Sequence, residues 1–263
     1  MPTHALLGAT GGTGSAVLHA LLAAPPPNLT LKIFVRSKSR LLLAYPNLES
    51  TTSISISIFE APITDISALR SCLSGAEVAH MCIATNEVKY GTHIAQDMAG
   101  AIISSLSQLR EEQGSEFTKP TLLIIRSASL NPVYALHAGR VIHHLIMLTL
   151  HFVYNDLDKA ASIYATTAAQ ERELFDYIFV DPPAIHDAAS THCTGHELMV
   201  DGSRPLSASL NYADLGAAFV ELAQEKEHYL GKGVAVSATG AVREQWSVLL
   251  GYNWQGLKSR IWQ

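Results

Sequence analysis

The sequence predicts an α/β fold, a doubly wound parallel sheet covered by helices on both faces. Two observations point there: strand-like and helix-like patterns alternate along the chain, and a glycine-rich turn joins the first strand to the first helix. "HALLGA" (4–9) is a short buried strand, and "SAVLHALLAA" (15–24) is a helix stopped by Pro25, Pro26 and Pro27. "LKIFVRS" (31–37) is the second strand. "SISISIFEA" (53–61) alternates Ser and Ile with period 2, as a strand with one apolar face does. "EVAHMCIAT" (77–85) is the fourth strand, followed by a helix over 91–114; "PTLLIIRSAS" (120–129) and "DYIFVDPP" (176–183) are the fifth and sixth. After Pro183 come a strand "ELMVD", a helix "NYADLGAAFVELAQE" and a strand "KGVAVSAT". No repeat or linker divides the 263 residues, so a single domain is expected, with residues from about 184 forming a small substrate-covering lobe.

Composition narrows the function. A 48% hydrophobic, 16% charged chain is globular, and a net charge of −5 offers no basic excess for nucleic acid. Cys72, Cys82 and Cys193 are odd in number and far apart, which suits reduced thiols. No signal peptide pattern is visible, and the apolar stretch "VIHHLIMLTLHFVY" is too short to cross a bilayer. A soluble cytoplasmic protein with no membrane or nucleic-acid partner is therefore expected. A homodimer packed through the apolar helix 141–153 is open.

The turn "GATGGTG" carries the chemistry. Gly8, Gly11 and Gly14 are spaced G-x-x-G-x-x-G, with Gly12 as an extra. After a first strand, glycines at such spacing permit a tight turn, admit a diphosphate close to backbone amides, and pack helix against strand. The helix amino terminus presents free N–H groups to the anion, and Thr10 and Thr13 can add hydroxyl donors. A carboxylate at the end of the second strand would select NAD; here stand Arg36, Ser37, Lys38 and Arg40, which suit a 2′-phosphate. NADP(H) is the expected cofactor in a Rossmann-type fold.

"GATGGTG" joined to "FVRS", "APITDISAL", "IIRSAS" and "DYIFVDPP" resembles the atypical short-chain dehydrogenase/reductase superfamily. The likeness is strongest to its NmrA-like and averufin-oxidase-like branches from fungal secondary metabolism, and it spans about residues 4–185. The resemblance implies that Asp65 lies beside the adenine, and that Thr85 and Asn86 run past a cofactor ribose. It implies that Ser127 and Ser129 end the fifth strand near the nicotinamide, and that Pro182, Pro183 and Ile185 flank the nicotinamide amide.

One departure is chemical. Superfamily reductases carry Tyr-x-x-x-Lys, and no tyrosine here has lysine four positions later; the usual interval from Ser127 reaches Arg140. The substitutes are Tyr154 and Lys159, whose five-residue offset puts them about 140° apart on a helix. Ser127, Tyr154 and Lys159 are the candidate catalytic residues, with a capping hydroxyl as the plain alternative for Ser127 and helix surface for the other two. Lys89 and Tyr90 are weaker candidates beside the pocket. Asp156 and Asp158 read as ordinary first-turn residues, and Tyr164 as packing. His186, His192, Cys193 and His196 match no compact zinc spacing, so no metal is expected; His186 or His192 is available to substrate. The leading expectation is an NADP(H)-dependent oxidoreductase acting on a hydrophobic small molecule, a polyketide or terpenoid intermediate. Two alternatives stay open: a redox-neutral isomerase, cyclase or dehydratase, and a non-enzymatic NmrA-like NADP sensor.

Overall fold

Residues 1–51, 54–85, 90–187 and 190–245 are described in the computed structural model. Within them β1 (Thr3–Leu7), β2 (Thr30–Val35), β3 (Ser55–Glu60), β4 (Val78–Met81), β5 (Thr121–Ile125) and β6 (Asp176–Asp181) run parallel, in the order β3-β2-β1-β4-β5-β6. Four short strands follow: β7 (Ala184–His186), β8 (His196–Met199), β9 (Ser209–Asn211) and β10 (Gly233–Ala238). β10 extends the sheet beside β6 in parallel, and β8 closes that edge antiparallel. β7 and β9 pair as a separate two-stranded sheet. The late chain is thus divided: β8 and β10 enlarge the main sheet, while β7 carries Ile185 beside the cleft described below. The strand order reverses between β1 and β4, and at such a switch point the loops leaving the carboxyl ends diverge and open a crevice.

The helices are α1 (Gly12–Ala23), α2 (Lys38–Ala44), α3 (Ile66–Leu73), α4 (Ile94–Gln113), α5 (Arg140–Thr149), α6 (His151–Gln170) and α7 (Tyr212–Gln224). Strand side chains alternate between faces, so each face acquires its own core. On one, Leu6, Ile33 and Leu123 meet Val17, Leu21, Phe219 and Leu222 of α1 and α7. On the other, Leu7, Leu122 and Phe179 meet Leu69, Met98, Ile102 and Tyr164 of α3, α4 and α6. Tyr164 is fully buried, edge-on to Phe175, and is core as expected. β3 is an edge strand, and its Ile56 and Ile58 pack onto the first core while Ser55 and Ser57 stay exposed.

Two expectations need correction. The apolar run 141–153 is not one helix: it breaks at Leu150 into α5 and α6, leaving Val141, Ile142, Leu145 and Leu148 exposed on α5. Asp156 is not an ordinary first-turn residue. It is buried, and its carboxylate accepts from Ala95 N (2.9 Å) and Gln96 N (3.2 Å), capping α4 from a different helix. A carboxylate there satisfies first-turn amides and offsets the positive end of the α4 dipole, and it fixes α6 against α4.

His4 and His80 meet inside the first core, Nδ1 to Nε2 at 3.1 Å. Burial, and then the charge of Lys226, lower His4 from 6.5 to about 4; burial, and then His4, push His80 well down too. Both rings are therefore neutral when folded. The contribution of His4 is complete above the unfolded pKa of 6.5 and is lost as pH falls from there towards about 4, and that of His80 is lost in the same direction. For His4 alone the full loss is roughly 3 kcal/mol. The expected result is a lower urea midpoint at pH 5 than at pH 7.5, with a shallower pH slope in the His4→Gln/His80→Gln variant. Equal slopes in the two proteins would contradict the assignment.

Candidate active site

A cleft of about 230 Å³ opens at the switch point. Its walls come from the turn after β1 (Gly11, Gly12, Thr13), the segment after β4 (Cys82, Ala84, Thr85) and the ends of β5 and β6 (Ile125, Arg126, Ser127, Pro182, Pro183). Ile185, Tyr212, Leu150 at the α5–α6 break and one face of α6 (Val153, Tyr154, Leu157) complete it. Leu150 and the α6 residues fall at i−4, i−1, i and i+3 about Tyr154, the pattern of a single helical stripe.

The glycine turn works mechanically. Gly8 adopts φ +91°, and Gly11 N donates to Gly8 O at 2.9 Å, so the chain reverses within one turn. α1 then starts at Gly12 with no side-chain cap on its N-terminal amides. Among the described residues no side chain caps those amides, and free first-turn N–H groups suit an anion. Thr13 lies at the cleft; Thr10 lies outside its lining. The ring of Tyr212, the first residue of α7, stands against Gly12 so closely that a Cβ there would come within 2.6 Å of it. Sequence reasoning did not single out Tyr212, because it lies two hundred residues from the turn it touches.

At the second strand, Arg36 and Arg40 are exposed and carry no ion pair among the described residues. Their neighbour Lys38 is paired with Glu49 at 2.7 Å, and Lys38 N donates to Glu60. Ser37 is the N-cap of α2, its Oγ accepting from Arg40 N. Asp65 is likewise the N-cap of α3, accepting from Ala68 N at 2.9 Å; this local role accounts for its carboxylate without a ligand. Asn86 and Lys89 lie outside the described residues.

Ser127 and Tyr154 come together. β5 ends at Ile125, and Ser127 caps a 3-10 turn over Ala128–Leu130, so strand alternation no longer separates Ser127 from Ser129. Ser127 Oγ accepts from Ser129 N (3.3 Å) and donates to Tyr154 Oη (3.1 Å). Burial raises the Tyr154 phenol above 10, with the hydrogen bonds of Ser127 and Ser129 pulling partly back. Tyr154 thus stays protonated at neutral pH. Lys159, named as a catalytic candidate, is instead on the helix surface: it is exposed and outside the cleft lining, as its five-residue offset from Tyr154 implies. The histidine loop is dispersed: His196 pairs with Glu221, and His186 Nδ1 accepts from Gln245 N. Among the described residues no three metal-ligating side chains cluster, and no helix is long and apolar enough to cross a membrane.

Solved structures share this fold. A short-chain dehydrogenase/reductase from Veillonella parvula, in complex with NADP, superposes with TM-score 0.63 at 15% identity, over 91% of this chain and 95% of that one. An oxidoreductase from Lactococcus lactis gives 0.58 at 12% identity, over 100% and 98%. The fold is that of the short-chain dehydrogenase/reductases. No family model matches the chain, but curated relatives do. Averufin oxidase A from Dothistroma septosporum is 46% identical over 263 residues, 99% of this chain and 92% of that protein. Averufin oxidase A from Aspergillus flavus is 42% identical over 99% and 91%. Oxidoreductase stcQ from Emericella nidulans is 31% identical over 85% and 77%. The chain belongs to the averufin oxidase family, and it is an oxidoreductase built on the short-chain dehydrogenase/reductase fold.

Proposed function

We propose that this protein is a cytoplasmic NADP(H)-dependent oxidoreductase that acts on a hydrophobic polyketide-type small molecule of the kind its averufin oxidase relatives are named for. The observation that carries this reading is the Ser127–Tyr154 hydroxyl pair, which shares one cleft with the glycine turn. The residues present fit a phosphorylated dinucleotide. Uncapped amides of α1 suit the diphosphate, with Gly11, Gly12 and Thr13 at the cleft wall. Arg36 and Arg40, which pair with no carboxylate among the described residues, suit a 2′-phosphate. Thr85, Pro183 and Ile185 line the part of the cleft where the nicotinamide end would lie. When bound, NADP(H) supplies hydride exchange.

The chain's own residues do the rest. Leu150, Val153, Leu157 and Ile125 give an apolar wall that seats a hydrophobic substrate and excludes water. Ser127 donates to Tyr154, which leaves the Tyr154 proton free to point at a substrate carbonyl oxygen. A phenol held neutral by burial donates to the oxygen as negative charge develops on it.

Turnover of averufin and related polyketide ketones, coupled one-to-one to the change in nicotinamide absorbance, is the expected result. A product of unchanged oxidation state formed equally without cofactor would establish the redox-neutral alternative instead. NADP binding with no turnover of any such compound would leave the sensor reading. The cofactor half has its own test. Replacing Arg36 and Arg40 with serine removes charge-assisted hydrogen bonds of about 1.5–3 kcal/mol, and so weakens NADPH binding about ten- to a hundredfold while leaving NADH binding unchanged. Equal losses for both cofactors would show that neither guanidinium reads the 2′-phosphate.

A further inference from the structure

Among the described residues no lysine lines the cleft that holds the hydroxyl pair, yet a fixed cation stands one position along the chain from Ser127. Arg126, immediately before Ser127, also lines the cleft. Its Nε and Nη2 donate to Asp181 Oδ1 and Oδ2 at 2.7 and 2.6 Å, a side-on bidentate pair. Asn131 Nδ2 adds a third bond to Asp181 at 2.7 Å, and the guanidinium lies over the Phe179 ring at 4.5 Å. Burial pushes the Asp181 carboxyl upward, and Arg126 and Asn131 oppose this. The Arg126 side chain is 10% exposed and that of Asp181 is fully buried. No hydrogen bond of the third nitrogen, Nη1, is found among the described residues.

A buried ion pair is weak as a stabilising device, since apolar residues of the same volume serve as well or better. Here the pair fixes a guanidinium on a residue of the cleft wall and leaves one N–H edge unspent. We propose that Arg126 determines substrate specificity by binding an acidic hydroxyl of an aromatic substrate in its ionised form, as a phenolate. This deepens the reading above and rests on it for the location of the substrate. A phenolate suits the site better than a carboxylate does. Its charge is delocalised over a ring that the apolar wall can cover, and guanidinium is the weakly hydrated cation that pairs with such an anion at least desolvation cost. No bond is made or broken: the phenol releases its proton to solvent on binding.

The probe is 2-hydroxyanthraquinone, whose phenolate absorbs to the red of the phenol, titrated by absorbance in the presence of the wild-type protein with and without NADPH. Bound to wild type, the probe's apparent pKa falls by at least one unit, about tenfold in ionisation. The O-methylated compound binds at least tenfold more weakly. In Arg126→Gln/Asp181→Asn, which removes both charges and so strands neither, the lowered pKa and the preference over the methyl ether are both lost. The wild-type measurements alone decide the matter if that variant does not fold. A probe that ionises on the wild-type protein as it does in water, fails to bind, or keeps its shift in the double variant overturns the proposal. Because no turnover is read, a chain that shifts the probe but never consumes NADPH would refute the proposed reaction and leave this assignment standing.

Discussion

Tyr154→Phe will lower kcat/KM by about two to four orders of magnitude, the worth of a positioned proton donor. Its affinity for NADPH will be unchanged. The ring still fills the stripe between Val153 and Leu157, so what is lost is one hydroxyl that accepts from Ser127 and donates into the cleft. Ser127→Ala will fall in the same direction by less, because Tyr154 keeps its proton and loses only its orienting partner. The pH profile separates this site from one containing Tyr-x-x-x-Lys. Burial raises the phenol above its ordinary value, and among the described residues no lysine lies in the cleft lining to bring it down. Ketone reduction should therefore stay level from neutral pH through the ordinary phenol range and decline only above it. Alcohol oxidation needs the same hydroxyl to take a proton and should rise across that range. Steady-state rates measured in both directions check the two limbs; a reduction limb falling near pH 7, or a Tyr154→Phe enzyme of undiminished rate, would remove Tyr154 from the chemistry.

Gly14→Ala will unfold or displace the cofactor turn. The added Cβ would lie 2.1 Å from Gly8 O and 2.5 Å from Gly8 C, both backbone atoms in a turn already at positive φ. A side chain can rotate away from a clash, but this strand–turn–helix joint has nothing to rotate, so α1 must move off β1. The cost is about 3 kcal/mol, the upper end for overpacking. Since the uncapped amides of α1 move with it, NADPH affinity will drop by more than tenfold. Urea unfolding and cofactor titration of the same sample read both effects. An alanine variant equal to wild type in both would show that the turn is not built as described.

The sheet was readable because it rests on local rules. The Ser–Ile alternation marks β3 whatever it packs against, and glycines at 8, 11 and 14 mark a strand-to-helix turn wherever they occur in that setting. The offset between Tyr154 and Lys159 was also arithmetic, and it correctly set them on different faces. The convergence of Ser127 and Ser129 on Tyr154 was harder, since it depended on whether β5 had already ended, and element ends are fixed by capping rather than by periodicity.

By itself, then, the chain's order of residues determined the alternating α/β pattern, the phosphate-sized turn and the basic second strand, because each is a property of neighbours within a dozen positions. The tertiary structure decided what spans longer distances. Asp156 caps α4 across about sixty residues, Arg126 meets Asp181 across fifty-five, and Tyr212 closes on Gly12 from two hundred away. Each joins elements brought together only when both faces of the sheet are covered. A pairing of that kind leaves no periodic trace in sequence, since it depends on where two helices or strand ends come to rest and not on what stands beside either partner.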